Sequence, residues 1–490
     1  MDEQEKIDRR AHVRLIITEV LMFLAVLLLV GFLTLIVMGY SFNLREIGGS
    51  GEVVERSGLV QISSQPAGAT IFIDGEAPLL LSTNASRTML SGEHEIALEK
   101  DGFLGWKKTV KVTEGLMYRL NYPRLIKTER ETEEVFTFEF GAVDLVSVPE
   151  KYAFRGTVKA EGVKFVSVSP NHEKMVVLVE SRLFMMNLNE DRPELKLLEV
   201  LDSEGVKSLE VAAVEKAEWS GNSERLLVKV NGAWAVINVR SPKETVWLEE
   251  LVPAKMVSDI KFENEAGDRL LVLNVKKELM ELSVREKKLS EALLTGVERF
   301  DNDGDRIVFV DEDAKLRAYR VGERDKYLVA EAEETAKLAT MRYFQESYVG
   351  LAVDGKFVVY RKTGWVANDE EMEKVFEEEV EFKVASVKKR GKGMVFELVG
   401  TEGESEVFDI EAMTLTTVEA KGAGWVDEYL RYRVKDGKLA VLDYDGLNER
   451  ELVEKGVMSG RVVAISGNNR WLYYFVKVDG GEKLVREKIQ

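Results

Sequence analysis

Residues 217–238, AEWSGNSERLLVKVNGAWAVIN, decide the fold. A short strand ends at Trp219, Gly221-Asn222-Ser223 turns the chain, 226–230 form an apolar strand, Asn231-Gly232 turns it again, and 233–238 form a third strand. Apolar runs bounded by Gly, Asn and Ser read as strands, and Asn-Gly between two of them is a strong hairpin signal. The same order recurs at 163–188, where a strand over 163–168 meets Ser169-Pro170-Asn171 and is followed by strands at 175–179 and 183–188. Further copies begin near Ile260, Val297, Leu338, Phe382, Trp425 and Val462, which makes eight. Their first turns fall at intervals of 37 to 51 residues. A period near 40 with three or four strands per copy is the pattern of a β-propeller, because no single copy can bury both of its faces alone. Seven or eight blades are expected over residues 135–490, eight on the count, and with only 8 prolines the chain suits strands throughout.

The Ser-Pro-Asn and Trp-Ser-Gly-Asn turns resemble those of the TolB and WD40-like propeller families, although no copy carries the Trp-Asp ending, so the resemblance is one of architecture. The last copy supplies only three good strands, at 462–466, 471–478 and 483–489. A strand at 135–140, from the other end of the repeat region, is the natural fourth, since an open ring would leave two unpaired strand edges.

Upstream, residues 20–38, VLMFLAVLLLVGFLTLIVM, run from Val20 to Met38 without a charge. As a helix they span roughly 28 Å, about the hydrocarbon thickness of a bilayer. A cleaved signal would have a shorter apolar region and a small-x-small site, so residues 15–40 read as an uncleaved transmembrane signal anchor. Lys6, Arg9, Arg10 and Arg14 precede the run and only Arg45 and Arg56 follow within twenty residues. That asymmetry puts the tail of residues 1–14 in the cytoplasm and everything after the helix outside. Tyr40 and Phe42 suit the outer interface, and Glu19 sits at the helix end where its carboxylate reaches water. Residues 41–58, with four glycines after position 47, read as a flexible link.

Between link and repeats, residues 59–123 alternate as short strands and turns. Pro66-Ala67-Gly68-Ala69 precedes a strand that ends at Asp74-Gly75, Leu90-Ser91-Gly92-Glu93-His94 starts another, and Lys100-Asp101-Gly102-Phe103 turns into a third. In order and spacing these motifs resemble the PEGA domain family, with Ala67 in place of the family's Glu, while residues 77–88 depart from the pattern. The resemblance implies a small β-sandwich of the cell envelope without established catalysis. Residues 124–134, which include KTERETEE, read as a second linker.

The whole is an all-β chain behind one membrane helix. It holds no cysteine, so disulfides, zinc-thiolate sites and cysteine nucleophiles are excluded, as suits a bacterial envelope protein. A net charge of −18 disfavours nucleic acid as a partner. Motifs of nucleophile elbows, zincins, P-loops and dinucleotide sites are missing from the sequence. Asp301, Asp303 and Asp305 alternate before and after Gly304 in the manner of a calcium loop, but lack its distant Glu and fall at a hairpin position, so they read as a turn. His94 reads as a turn residue packed on a strand. The acidic stretch 369–381 reads as an exposed helix or loop before the sixth copy, or as a docking patch for a basic partner, and Trp234, Trp247, Trp365 and Trp425 as blade core. No catalytic, cofactor or metal site is expected. The sequence thus favours an anchored extracytoplasmic binding or scaffold protein that recognises an envelope protein or glycan through the propeller. A propeller-based hydrolase or lyase, and a glycan or ligand sensor, are the alternatives; three histidines and a tail of 14 residues argue against them.

Overall fold

The computed structural model describes residues 3–37, 40–42, 54–77, 82–139, 153–154, 156–159, 162–179, 181–201, 209–323, 326–333, 335–363, 372–390, 394–419 and 421–490. Phe140, Trp365, most of the link at 41–58 and the first part of the acidic stretch lie outside them. The chain divides into two compact units, Met1–Thr128 and Glu129–Gln490.

The first unit opens with a long helix, α1 (Glu3–Val37). Its stretch Ile17–Thr34 is long and apolar enough to cross a membrane and is exposed along its whole length. Seven strands follow: β1 (Tyr40–Phe42), β2 (Val54–Ile62), β3 (Thr70–Ile73), β4 (Ala85–Leu90), β5 (Gly92–Glu99), β6 (Trp106–Val112) and β7 (Met117–Leu120). They form two sheets: β2 is flanked by β4 on one side and by β1 and β7 on the other, and β3-β5-β6 make the second. Alternation decides what each strand buries. Val60 and Ile62 of β2, Ile96 and Leu98 of β5, and Val110 and Val112 of β6 are buried, as is Trp106. The sheets approach so closely at Gly58 that a Cβ there would lie 2.8 Å from Cγ1 of Val112, so only glycine fits. Residues 124–128, expected as linker, belong to this unit: Leu125 and Ile126 are buried, and Leu125 N donates to Gln65 O at 2.8 Å. The polarity of KTERETEE hides the two apolar residues before it. Likewise β2 starts inside the expected link, and Ser57 is buried.

The second unit consists, among the described residues, of eight sheets. Sheet 8 holds β8 (Thr132–Glu139), which pairs antiparallel with Gly481–Lys488 at the far end of the chain, so the expected closing strand is present. β9 (Ala153–Phe154) adds to the outer edge of sheet 1, and β10 (Gly156–Lys159) runs parallel to β8. Sheets 1 to 7 each pair four successive strands in order, with innermost strands β11 (Val163–Val168), Val214–Trp219, Val257–Phe262, Val297–Asp303, Lys337–Tyr343, Val384–Arg390 and Ala423–Trp425.

The second strands explain the sheet-on-sheet stacking, because both faces are apolar and each serves a different neighbour. In sheet 1, Met175, Val177 and Val179 pack toward sheet 8, whereas Val176 and Leu178 pack toward sheet 2. Sheet 3 sends Leu270 and Val272 to sheet 2 and Leu271 to sheet 4, and sheet 4 sends Ile307 and Phe309 back and Val308 and Val310 on to sheet 5. Sheets 5 and 6 share Phe357, Phe396 and Phe408. Polar ties complete the ring: the Tyr444 hydroxyl of sheet 7 donates to Asp409 of sheet 6, and the Tyr432 hydroxyl donates to Arg461 O at 3.1 Å, next to sheet 8. Glu482 of sheet 8 in turn accepts from Val163 N of sheet 1 at 2.5 Å.

The acidic stretch is a correction. Glu373–Glu379 is neither helix nor loop but the outer strand of sheet 5, paired with Lys356–Thr363. Its glutamates face water along an edge, where charge discourages pairing with another chain, while Phe376 packs within 4.5 Å (ring centroids) of Phe408. Glutamate runs mask the period of an edge strand because only one residue in several needs to be apolar there.

Candidate functional site

Three of the described turns from first to second strand stand side by side at one mouth of the ring and repeat one device. Ser169, Ser220 and Ser466 are buried, and each hydroxyl donates to the Asn two residues on, at 2.8, 2.8 and 2.7 Å. Each also accepts a backbone N–H five residues on, from Lys174, Arg225 and Trp471. The turns then bond sideways: Gly467 N to His172 O (2.7 Å), Asn171 N to the Ser223 hydroxyl (3.1 Å) and Asn222 N to Glu265 O (2.9 Å). Gly467 is required, since a Cβ there would stand 2.6 Å from Asn171 O. The result is a hydrogen-bonded rim running from sheet 8 to sheet 3.

Next to the rim lies a cavity of about 460 Å³ lined by residues of sheets 2 to 6. The penultimate residue of five successive innermost strands faces it: Glu218, Lys261, Asn302, Arg342 and Lys389. The Lys261 ammonium donates to Asp301 at 2.6 Å, and the other Asp301 oxygen accepts from Thr340 N at 2.8 Å, which ties sheets 3, 4 and 5. Burial alone would raise the Asp301 pKa, but the Lys261 and Lys389 ammoniums and these hydrogen bonds outweigh it and hold the carboxyl below its ordinary value. Burial correspondingly lowers Lys261, and Asp301 more than reverses it, so the ammonium is held above its usual range. Glu218 is pushed up by burial in spite of Lys261. Arg306 is shifted down by burial and by the guanidinium of Arg342 on the adjacent sheet. Glu263, 2 % exposed and beside Glu281, is pushed up to about 7 by burial first and that neighbour second. Neither of its oxygens accepts a hydrogen bond, although Arg269 Nε lies 3.3 Å from one of them and opposes the shift.

The metal-like triplet does not converge. Asp301 is taken up by Lys261 and Thr340, Asp305 pairs with Arg320 at 2.8 Å, and Asp303 lies 3.9 Å from the Lys389 ammonium. Among the described residues no group of three acidic, His or Cys side chains is placed to hold a metal. Trp234 is buried between sheets 2 and 3 and Trp247 packs between sheets 1 and 2. Trp425 has the guanidiniums of Arg390 and Arg431 5.5 and 5.3 Å from its ring centre and donates to Glu397 at 2.7 Å. Sequence reasoning missed the ring of mouth residues. The signal was present in the repeats, since aligning the innermost strands at their ends puts a polar residue at the same position in five successive copies.

In the first unit the motif residues lie at turns and strand ends, except that His94, expected in a turn, lies within β5 opposite Val110. Asp74 and Gly75 have positive φ, 53° and 82°, as the hairpin turn requires. The Asp74 carboxylate accepts from Glu95 N at 2.9 Å and lies 2.7 Å from His94 Nδ1, whose Nε2 is 2.9 Å from Leu90 O. Both ring nitrogens of His94 are thus engaged, and the hydrogen bond to His94 is the main reason Asp74 is held below its ordinary pKa. Gly68 (φ 79°) receives the Lys100 ammonium on its carbonyl at 3.3 Å, as Ala67 does at 2.9 Å, and Gly102 (φ 79°) accepts from Thr128 N. Pro66, Ala69 and Gly92 complete the set within the same turns and strand ends.

Residues 57–126 match the PEGA domain. The match runs from within β2 to the end of the first unit but for two residues, and leaves α1 and β1 outside. No curated protein matches the chain. Among solved structures, a component of the mitotic checkpoint complex is 14% identical, with 72% of this chain and 98% of that one aligned and a TM-score of 0.38. A yeast Nup82-Nup159-Nup116 nucleoporin component is 9% identical (64% and 100% aligned, TM-score 0.41). The Myceliophteria thermophila Cps50 (Swd1) β-propeller domain is 10% identical (68% and 99%, TM-score 0.40). Likenesses at these TM-scores carry no argument about the fold or about what the chain binds.

Proposed function

We propose that this chain is a membrane-anchored extracytoplasmic scaffold whose second unit, an eight-bladed propeller, recognises an envelope macromolecule at the mouth described above. The carrying observation is the charged cavity itself: five sheets each contribute a polar side chain to it, and it borders a hydrogen-bonded rim of turns. Loops and turns held by a rigid scaffold are where recognition residues usually lie. On this reading the PEGA domain, a small β-sandwich, spaces the propeller from the bilayer, α1 stays uncleaved with its N-terminus in the cytoplasm, and the chain has no active site. The enzyme alternative has one point in its favour, the Glu263 carboxyl whose pKa of about 7 suits a general acid or base. Both of its oxygens are enclosed, however, and no histidine lines the cavity.

Photo-crosslinking in native membranes tests the reading. A crosslinker at Arg342 should capture a discrete partner, and one at Asp354, among the turns of the opposite mouth, should not. Equal capture from both positions, or turnover of an envelope substrate abolished by Glu263→Gln, would overturn it.

A further inference from the structure

Outside α1, the first unit leaves three large hydrophobic side chains exposed among the described residues: Leu90 (43 %), Leu116 (62 %) and Met117 (42 %). They are neighbours. Leu90 faces Ser57 across the β2–β4 ladder, and Met117 faces Leu59 across β2–β7. Alternation puts them on one face: Met89 and Leu120 point into the core, so Leu90 and Met117 point outward from the same sheet, with half-buried Leu59 between them. Leu116 caps the patch at the turn before β7, where Leu116 O accepts from Leu59 N and Gly115 N donates to Ser57 O, both at 2.9 Å.

The covalent path from the helix leads to this patch. Tyr40 follows the last residue of α1 by three positions, at most about 11 Å of extended chain. Tyr40 pairs with Arg56, the residue before Ser57, and ladder partners lie about 5 Å apart. Leu90 is therefore held within about 25 Å of the helix end. The Arg56–Glu114 ion pair beside the patch, at 2.6 Å, neutralises two of the charges next to it.

We propose that Leu59, Leu90, Leu116 and Met117 form a membrane-facing surface, through which the PEGA domain rests on the lipid interface into which α1 is anchored. The inference depends on the anchor reading above. Apolar side chains flanked by neutralised charge are what the headgroup–acyl boundary accepts, and the tether keeps them at high local concentration beside it.

The chain has no cysteine, so single labels can be placed in the whole chain, reconstituted in vesicles of zwitterionic phospholipid carrying lipid-bound quenchers at both shallow and deep acyl positions. A fluorophore at Leu90→Cys or Met117→Cys should lose most of its emission, as should one at Leu27→Cys within α1. A fluorophore at Asp101→Cys, on the turn at the opposite end of β5 and β6, should keep it. Adding Leu116→Asp with Met117→Asp should restore emission at position 90. If Leu27 is quenched but positions 90 and 117 match Asp101, the surface proposal fails while the anchor stands. Labels at 90 and 117 that quench each other between molecules instead of responding to lipid would assign the patch to a second copy and overturn it. Should Leu27 also stay unquenched, both readings fall.

Discussion

Lys261 and Asp301 stand on neighbouring sheets with ammonium and carboxylate 2.6 Å apart, and Asp301 is 8 % exposed. Removing the cation leaves a buried carboxylate with Thr340 N as hydrogen-bond donor and the more distant Lys389 ammonium as counter-charge. Lys261→Met should therefore destabilise the second unit by about 2–3 kcal/mol, less than for a fully enclosed pair because Lys261 is partly exposed. Two pH windows follow. Asp301 is held below its unfolded pKa, so its contribution is present above that value and lost as pH falls through the folded one. Lys261 is held above its own, so its contribution is present below the unfolded value and lost as pH rises through the folded one. Urea unfolding at acid, neutral and alkaline pH should show wild type and variant converging at the acid end.

Ring closure rests on Phe136 of β8, which is fully buried among Phe184, Trp471, Phe475 and Leu484. Phe136→Ala should cost about 3–5 kcal/mol. Because β8 joins the two ends of the repeat region, the loss should appear as one cooperative shift of the melting curve for the whole ring. A shift confined to a small early transition would show that sheet 8 folds apart from the rest.

The rim turns offer a graded test. Ser220 is fully buried, and its hydroxyl donates to Asn222 while accepting from Arg225 N. Ser220→Ala leaves that N–H without its partner and should cost about 1–3 kcal/mol. Asn171→Ala, at an exposed rim position, should cost less. Hydrogen exchange at Arg225 N, faster in Ser220→Ala, reads the effect locally.

Much of the architecture was legible because a second strand such as 226–230 or 307–310 must be apolar on both faces, and with no helical pattern between the strands to cover them, that calls for sheets stacked on both sides. Turn residues were legible for a similar reason: Asp74-Gly75 and Asn231-Gly232 adopt backbone angles other residues resist. What stayed hidden depends on distance in space. Lys261 and Asp301 are 40 residues apart and carry no motif, and the charge on Glu373–Glu379 concealed a strand that packs on the core through Val375 and Phe376. The unit boundary was missed because Leu125 and Ile126 are too few to break a polar run.

Glu263 gives the last prediction. Its carboxyl is raised from an ordinary value of 4.5 to about 7 by burial and by Glu281, so over that interval the folded chain holds a proton that the unfolded chain has lost. The folded state binding more protons means that stability falls as pH rises from about 4.5 to about 7 and levels off above. The full effect is on the order of 3 kcal/mol. Glu263→Gln removes the titration and keeps the shape, so the variant should match wild type near pH 4.5 and be the more stable of the two at pH 8. Its capture of a partner by the Arg342 crosslinker should be unchanged, because both Glu263 oxygens are enclosed. A stability profile with the same slope in both proteins would show that Glu263 is ionised in the folded chain across this range. Lost capture in a variant that is more stable would instead place the carboxyl in contact with whatever the mouth receives.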